Sequence, residues 1–150
     1  MLLAVIHGIR KKEITDYRIF ITPELLLNFR EIWSQLVDTG HIENFALPFF
    51  HLRSEPFWQL VAKPGMELGI TRSGSIKSFK NLRETVAYAH IDSELFFLLQ
   101  EPETCRILEE QLLHQYFYTT QKNYFTQYDS IEESQLEYQI LNSSGTVYRE

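Results

Sequence analysis

Apolar side chains return at three- and four-residue steps after residue 22: Leu25, Leu26, Phe29, Ile32, Trp33, Leu36 and Val37. That spacing lays them on one stripe of a helix whose opposite face stays in water. Thr22-Pro23-Glu24 marks its start, with a capping hydroxyl, a proline whose missing N–H costs nothing in the first turn, and an acid near the positive end of the dipole. Asp38-Thr39-Gly40 reads as its end. A second periodic segment opens at Pro102 and runs through Leu108, Leu112 and Leu113 to Tyr116 and Phe117.

Between the two helices the pattern shortens. Residues 57–62 and 68–71 read as strands joined by a Lys63-Pro64-Gly65 turn, and Ser73-Gly74-Ser75 reads as a second turn before residues 76–79. Asn81 or Asp92 is placed to cap the helices that follow. The last thirty residues are polar and aromatic, with a helix expected over residues 130–140 and a turn at Asn142-Ser143-Ser144-Gly145. The expectation is a mainly helical α+β single domain with a small antiparallel sheet, its core over about residues 1–120 and a polar extension over residues 121–150.

The 150 residues carry a net charge of −6 with His neutral, and 44% are apolar, enough for a real core. The charge is unevenly spread. Residues 51–83 hold six basic and two acidic side chains, whereas residues 84–150 hold three basic and twelve acidic ones. The acidic whole argues against charge-driven polyanion binding, yet the middle third can still present a local basic face. The six apolar residues that open the chain, broken by His7, are too few for a membrane span or a signal peptide's apolar region. One cysteine, Cys105, allows neither an internal disulfide nor a cysteine-rich zinc site. The chain therefore reads as soluble and cytoplasmic.

Catalytic patterns are missing. The six glycines form no phosphate-binding loop. His41 and His51 lack metal-protease spacing, and Cys105 reads as a small core residue on an apolar helical face. The acid pairs Glu109-Glu110 and Glu132-Glu133 read as solvated faces. No cofactor or metal is expected, and the chain is read as a binding domain and not an enzyme.

The densest chemistry lies in Leu47-Pro48-Phe49-Phe50-His51-Leu52-Arg53-Ser54-Glu55-Pro56-Phe57-Trp58. Its aromatic bulk must be buried, in the core or against a ligand, and His51, Arg53 and Ser54 would then stand on a rigid base. His51 can equally be a satisfied core histidine, and Arg53 can close a salt bridge with Glu55.

Together with Ile14-Thr15-Asp16-Tyr17-Arg18-Ile19, Ile21-Thr22-Pro23-Glu24-Leu25, Lys63-Pro64-Gly65, Tyr88-Ala89-His90-Ile91-Asp92-Ser93-Glu94-Leu95-Phe96 and Leu112-Leu113 leading to Tyr116-Phe117, this segment forms an ordered series. Over roughly residues 1–120 the series resembles the sulfur-binding domain, the N-terminal head of bacterial HNH-type, modification-dependent restriction endonucleases. The resemblance implies recognition of phosphorothioate-modified double-stranded DNA in bacterial defence, with cleavage left to a nuclease module outside this chain. It places a first contact element at Phe50, His51, Leu52, Arg53 and Ser54. A second, lining the sulfur cavity, falls at Tyr116, Phe117, Tyr118 and Thr119, where Tyr118 replaces the family's proline. Packing at a helix end is the competing account of those aromatics. Lys77, Lys80 and Arg83 are expected phosphate contacts from charge and spacing alone.

Two further readings stay open. The domain can be a DNA-binding head for another modification, or a protein-interaction module using the acidic C-terminal third and the tyrosines Tyr118, Tyr124, Tyr128 and Tyr138, which read as exposed. A homodimer is also conceivable through the apolar start Leu2, Leu3, Val5 and Ile6.

Overall fold

The computed structural model describes residues 1–37, 43–68, 78–124 and 140. Helix α1 (Leu2–Arg10) leads through a short strand β1 (Arg18–Ile19) to α2 (Pro23–Leu36). Helix α3 (Ala46–His51) continues into a 3-10 turn (Leu52–Ser54) and strand β2 (Trp58–Ala62). Helix α4 (Phe79–Thr85) runs directly into β3 (Val86–Ile91), and α5 (Ser93–Gln100) and α6 (Pro102–Tyr116) follow. The architecture is a mainly helical α+β domain around a three-stranded antiparallel sheet.

Helix starts follow the local chemistry. Thr22 Oγ1 accepts from the Leu25 N–H at 3.1 Å, and Asp92 caps α5 by accepting from Glu94 and Leu95. Pro102 opens α6 as its fixed φ favours. α2 ends at Leu36, with Val37 already extended, just before the Asp38-Thr39-Gly40 stop, which lies outside the described residues.

The sheet departs from expectation. β2 pairs with β3, a partner the sequence pattern does not announce, and the expected strand over residues 68–71 lies outside the described residues apart from Leu68. The order is β1-β3-β2, with Arg18 opposite His90 and Gln59 also opposite His90. Of residues 76–79, which the sequence places after a turn, Ser78 and Phe79 are described. Ser78 Oγ accepts from the Asn81 N–H, so Ser78 is the cap, Phe79 is helical and Asn81 lies inside α4. A serine hydroxyl one turn ahead of an open N–H is what starts the helix here. The expected helix over residues 130–140 and the turn at Asn142 lie outside the described residues, apart from Ile140, which is helical.

The core is closed by α1. Leu3, Ala4, Val5, Ile6 and Ile9 are buried, and α1 packs on α2, α5 and α6. The apolar residues that suggested a dimer face thus line the chain's own interior, with Leu2 packed half-buried against it. α1 ends in a Schellman arrangement: the Glu13 N–H donates to Gly8 O at 2.8 Å and the Lys12 N–H to Ile9 O at 3.1 Å. Lys12 sits in the left-handed position with φ 63°. A side chain there costs energy that glycine avoids, so Lys12→Gly is expected to raise unfolding stability by about 0.5–1 kcal/mol, measured by urea denaturation. Lys11 Nζ donates to Asn28 Oδ1 and Asn28 Nδ2 to Glu13 Oε2, so the buried Asn28 side chain ties this loop to α2.

Candidate nucleic-acid interface

The segment from Phe45 to Trp58 is built on rings. Phe45 stacks on Phe49 at 5.5 Å between centroids and meets Phe29 of α2 and Phe79 of α4 edge-on. Phe49 in turn meets Trp58 edge-on at 5.3 Å, and the Trp58 indole N–H donates to Phe49 O at 2.9 Å. Phe49, Phe50 and Trp58 are fully buried. An indole N–H left without a partner there would cost more than the bond itself is worth, so the hydrogen bond fixes the distance between α3 and β2.

On this base the polar groups point outward. His51, Arg53 and Ser54 are exposed, so His51 is not a core histidine. The Arg53 guanidinium lies 4.0 Å above the Phe50 ring, a cation–π contact that pre-orients it. Phe50 itself is sealed below Arg53, so it holds the loop from beneath and presents no surface to a ligand. Leu52 is half-buried against the core.

Helix α4 brings its own cations to the same region. It packs on α3 and on β3, and its Lys80 and Arg83 are exposed. Among the described residues of the middle third, Arg53, Lys80 and Arg83 thus lie on the 3-10 turn and α4, both of which pack on α3. Lys77 lies outside the described residues.

The second expected element sits at the far end of α6. Tyr116 and Tyr118 are exposed, 65% and 66%, and Thr119 is exposed as well. Phe117 is half-buried and packs on the core. Tyr118 meets the His114 ring edge-on at 5.1 Å. The following residues are anchored to α2, where Thr120 Oγ1 donates to Leu36 O at 2.9 Å and Asn123 Nδ2 to Gln35 O at 3.3 Å. These bonds satisfy carbonyls that the end of α2 leaves open. The two elements expected to share a sulfur cavity are thus held by different neighbours. A shallow concavity beside the second one is lined by residues including His114, Gln115 and Gln121, without a contribution from residues 50–54.

A buried polar network escaped the sequence reading. The Tyr124 hydroxyl donates to Glu109 Oε1, Arg10 Nη2 donates to Glu109 Oε2, and His7 Nε2 meets the Tyr124 hydroxyl. Because the tyrosine proton goes to Glu109, His7 Nε2 must be the donor to the tyrosine oxygen. Arg10 also reaches Cys105 Sγ at 3.7 Å. Glu109 and Tyr124 are therefore buried, against the solvated acid face and the exposed tyrosine expected from sequence. Burial pushes the Tyr124 hydroxyl and the Cys105 thiol up, and it holds His7 down to about 4. The signal was present as paired polar positions, His7 and Arg10 on one helix and Cys105 and Glu109 on another, but only the α1–α6 contact makes them one cluster.

That network borders a cleft of about 850 Å³ between the end of α1 and the α5–α6 junction. Ile9, Ile14, Leu99 and Pro102 form its apolar part. Its cations are largely engaged: Arg10 pairs with Glu109, and Arg106 with Glu103 at 3.0 Å and Glu110 at 3.7 Å. Among the described residues no group of three or more His, Cys, Asp or Glu side chains is placed to hold a metal ion, and no helix is long and apolar enough to cross a membrane.

The fold and this surface define a mainly helical α+β domain whose basic loop stands on an aromatic base. No family model matches the chain, and no curated protein matches it.

Proposed function

We propose that the domain is a DNA-recognition head that reads a phosphorothioate linkage in duplex DNA, with cleavage carried out by an HNH module and the whole acting in the cytoplasm. The observation that carries this reading is the loop after α3. His51, Arg53 and Ser54 are exposed on a rigid base of buried Phe49, Phe50 and Trp58, beside an α4 that carries Lys80 and Arg83. Pre-oriented cations of this kind suit phosphate, and a histidine and a hydroxyl suit base edges.

Sulfur in place of a non-bridging oxygen keeps the charge but is larger and more weakly hydrated. An apolar contact accepts it while penalising an oxygen that would have to shed water. Burying a few tens of Å² of sulfur is worth about 1 kcal/mol, so selectivity beyond tenfold needs the oxygen penalty as well. Of the two elements, which different neighbours hold, the second offers Tyr118 as the apolar group for that contact, and Leu52 of the first is half-buried.

The test is a titration of a duplex carrying one phosphorothioate linkage beside its unmodified counterpart at physiological salt. A preference of at least tenfold for the sulfur duplex is expected, with Arg53→Ala weakening both and Tyr118→Ala removing the preference. Equal, salt-sensitive affinity for both duplexes would point to a DNA head with another target. No affinity for either would favour a protein-interaction module, for which the 71% exposure of Phe97 on α5 is the specific observation.

A further inference from the structure

The outer face of the sheet is lined in a way that core packing does not require. Ile19, Ala89, Trp58 and Ile91 point inward and are buried, so the alternate positions face away from the core. Register sets them in two rows. Arg18, His90 and Gln59 lie across the three strands in one row, and Tyr88 of β3 stands in the next with Phe20, which follows β1.

The rings in these rows touch without covering one another. Phe20 and Tyr88 are 5.3 Å apart and tilted by 52°, and Tyr17 and His90 are 4.8 Å apart and tilted by 50°. Tyr17 and Phe20 remain 43% and 46% exposed. Tilted pairs of this kind leave ring faces open for a further planar partner. Arg18 lies 5.8 Å from the Phe20 centroid, and its only strong partner among the described residues is the exposed carboxylate of Asp16 at 2.9 Å. An exposed pair of this type is weak and is readily exchanged for another anion. The exposed Lys63 follows the last residue of β2, so a cation stands at that end of the strand.

We propose that this sheet face is a stacking platform for unpaired nucleobases, with single-stranded DNA as its ligand. Phe20, Tyr88 and Tyr17 offer π-faces, Gln59 and His90 offer hydrogen-bonding groups between the strands, and Arg18 meets the phosphate backbone. Paired bases in a duplex present no open faces to such a surface, whereas a looped-out or single-stranded stretch does. The platform uses none of His51, Arg53 or Tyr118, so it stands or falls apart from phosphorothioate recognition.

The test is fluorescence anisotropy with the full chain and a labelled single-stranded oligothymidine, alongside an abasic strand of the same length. The expected result is binding of the base-bearing strand, with Phe20→Ala and Tyr88→Ala each weakening it roughly tenfold and the abasic strand binding correspondingly worse. Phe97→Ala, which removes an exposed ring outside the sheet, leaves affinity unchanged. Phe20→Leu and Tyr88→Leu keep apolar bulk at the two sites and serve if the alanine variants lose their fold. Arg53→Ala separates the two readings, since it weakens duplex binding and spares most of the single-strand affinity. Equal binding of abasic and base-bearing strands, retention of affinity in both ring variants, or no single-strand binding at all would overturn the platform.

Discussion

Trp58→Ala is expected to destabilise the domain by about 3–5 kcal/mol, the largest effect of any single substitution considered. The indole is fully buried, meets Phe49 edge-on and donates its N–H to Phe49 O. Its removal opens a cavity between α3 and β2 and strands a buried carbonyl. Domains of this size hold about 5–15 kcal/mol in total, so much of that margin goes and the urea midpoint falls sharply. Trp58→Phe is milder: a ring contact survives, while the hydrogen bond and part of the indole's buried volume are lost, for about 1–3 kcal/mol. Because this indole fixes the base under His51 and Arg53, Trp58→Phe should also weaken duplex binding at temperatures where the domain remains folded. A Trp58→Ala protein as stable as the wild type would show that the aromatic base does not hold the loop.

The second large effect is acid sensitivity seated in the His7–Tyr124–Glu109–Arg10 cluster. The His7 imidazole is held down to about 4 by burial, which outweighs the attraction of Glu109 and is reinforced by Arg10 and Lys11. In the unfolded chain an imidazole titrates near its ordinary value of about 6.5. A group with a depressed folded value leaves the unfolded state holding more protons in between. Stability is therefore full above about pH 6.5, falls as pH drops towards 4, and loses no more to this group below that. The loss approaches about 3 kcal/mol. His7→Gln keeps an N–H donor for the Tyr124 oxygen and cannot titrate, so its stability between pH 6.5 and 4 should be distinctly flatter. Glu109→Ala removes the carboxylate that accepts from both the Arg10 guanidinium and the Tyr124 hydroxyl. A loss of about 3 kcal/mol is expected from breaking that buried pair. Thermal melts across the pH range, for wild type and both variants, check all of this.

The features legible in the sequence were those encoded within a few residues. Thr22-Pro23, Asp92 and Pro102 mark helix starts because a capping oxygen or a fixed φ acts on its own turn. The exposure of Arg53 on buried rings follows the same logic, since aromatic bulk goes inward, whereas the sequence alone leaves His51 open between core and surface. What was missed depends on partners distant in sequence. Residues 58–62 pair with residues 86–91, and Ile91 and Ala89 place that segment at the centre of the sheet although no local pattern announces it as a central strand. α1 reads as an apolar opening until α2, α5 and α6 are seen to enclose it. Glu109 and Tyr124 illustrate the same limit at a site. Each reads as polar surface until His7 and Arg10, about a hundred residues earlier, supply the partners that make burial affordable.

The order of strands within the sheet bears on how the chain acquires its shape during synthesis. Among the described strands β3 is the last made and the middle one in space, so β1 and β2 lack the strand they both pair with while the ribosome is still upstream of residue 86. Translation through β3 joins both at once, so this sheet forms late and in one step.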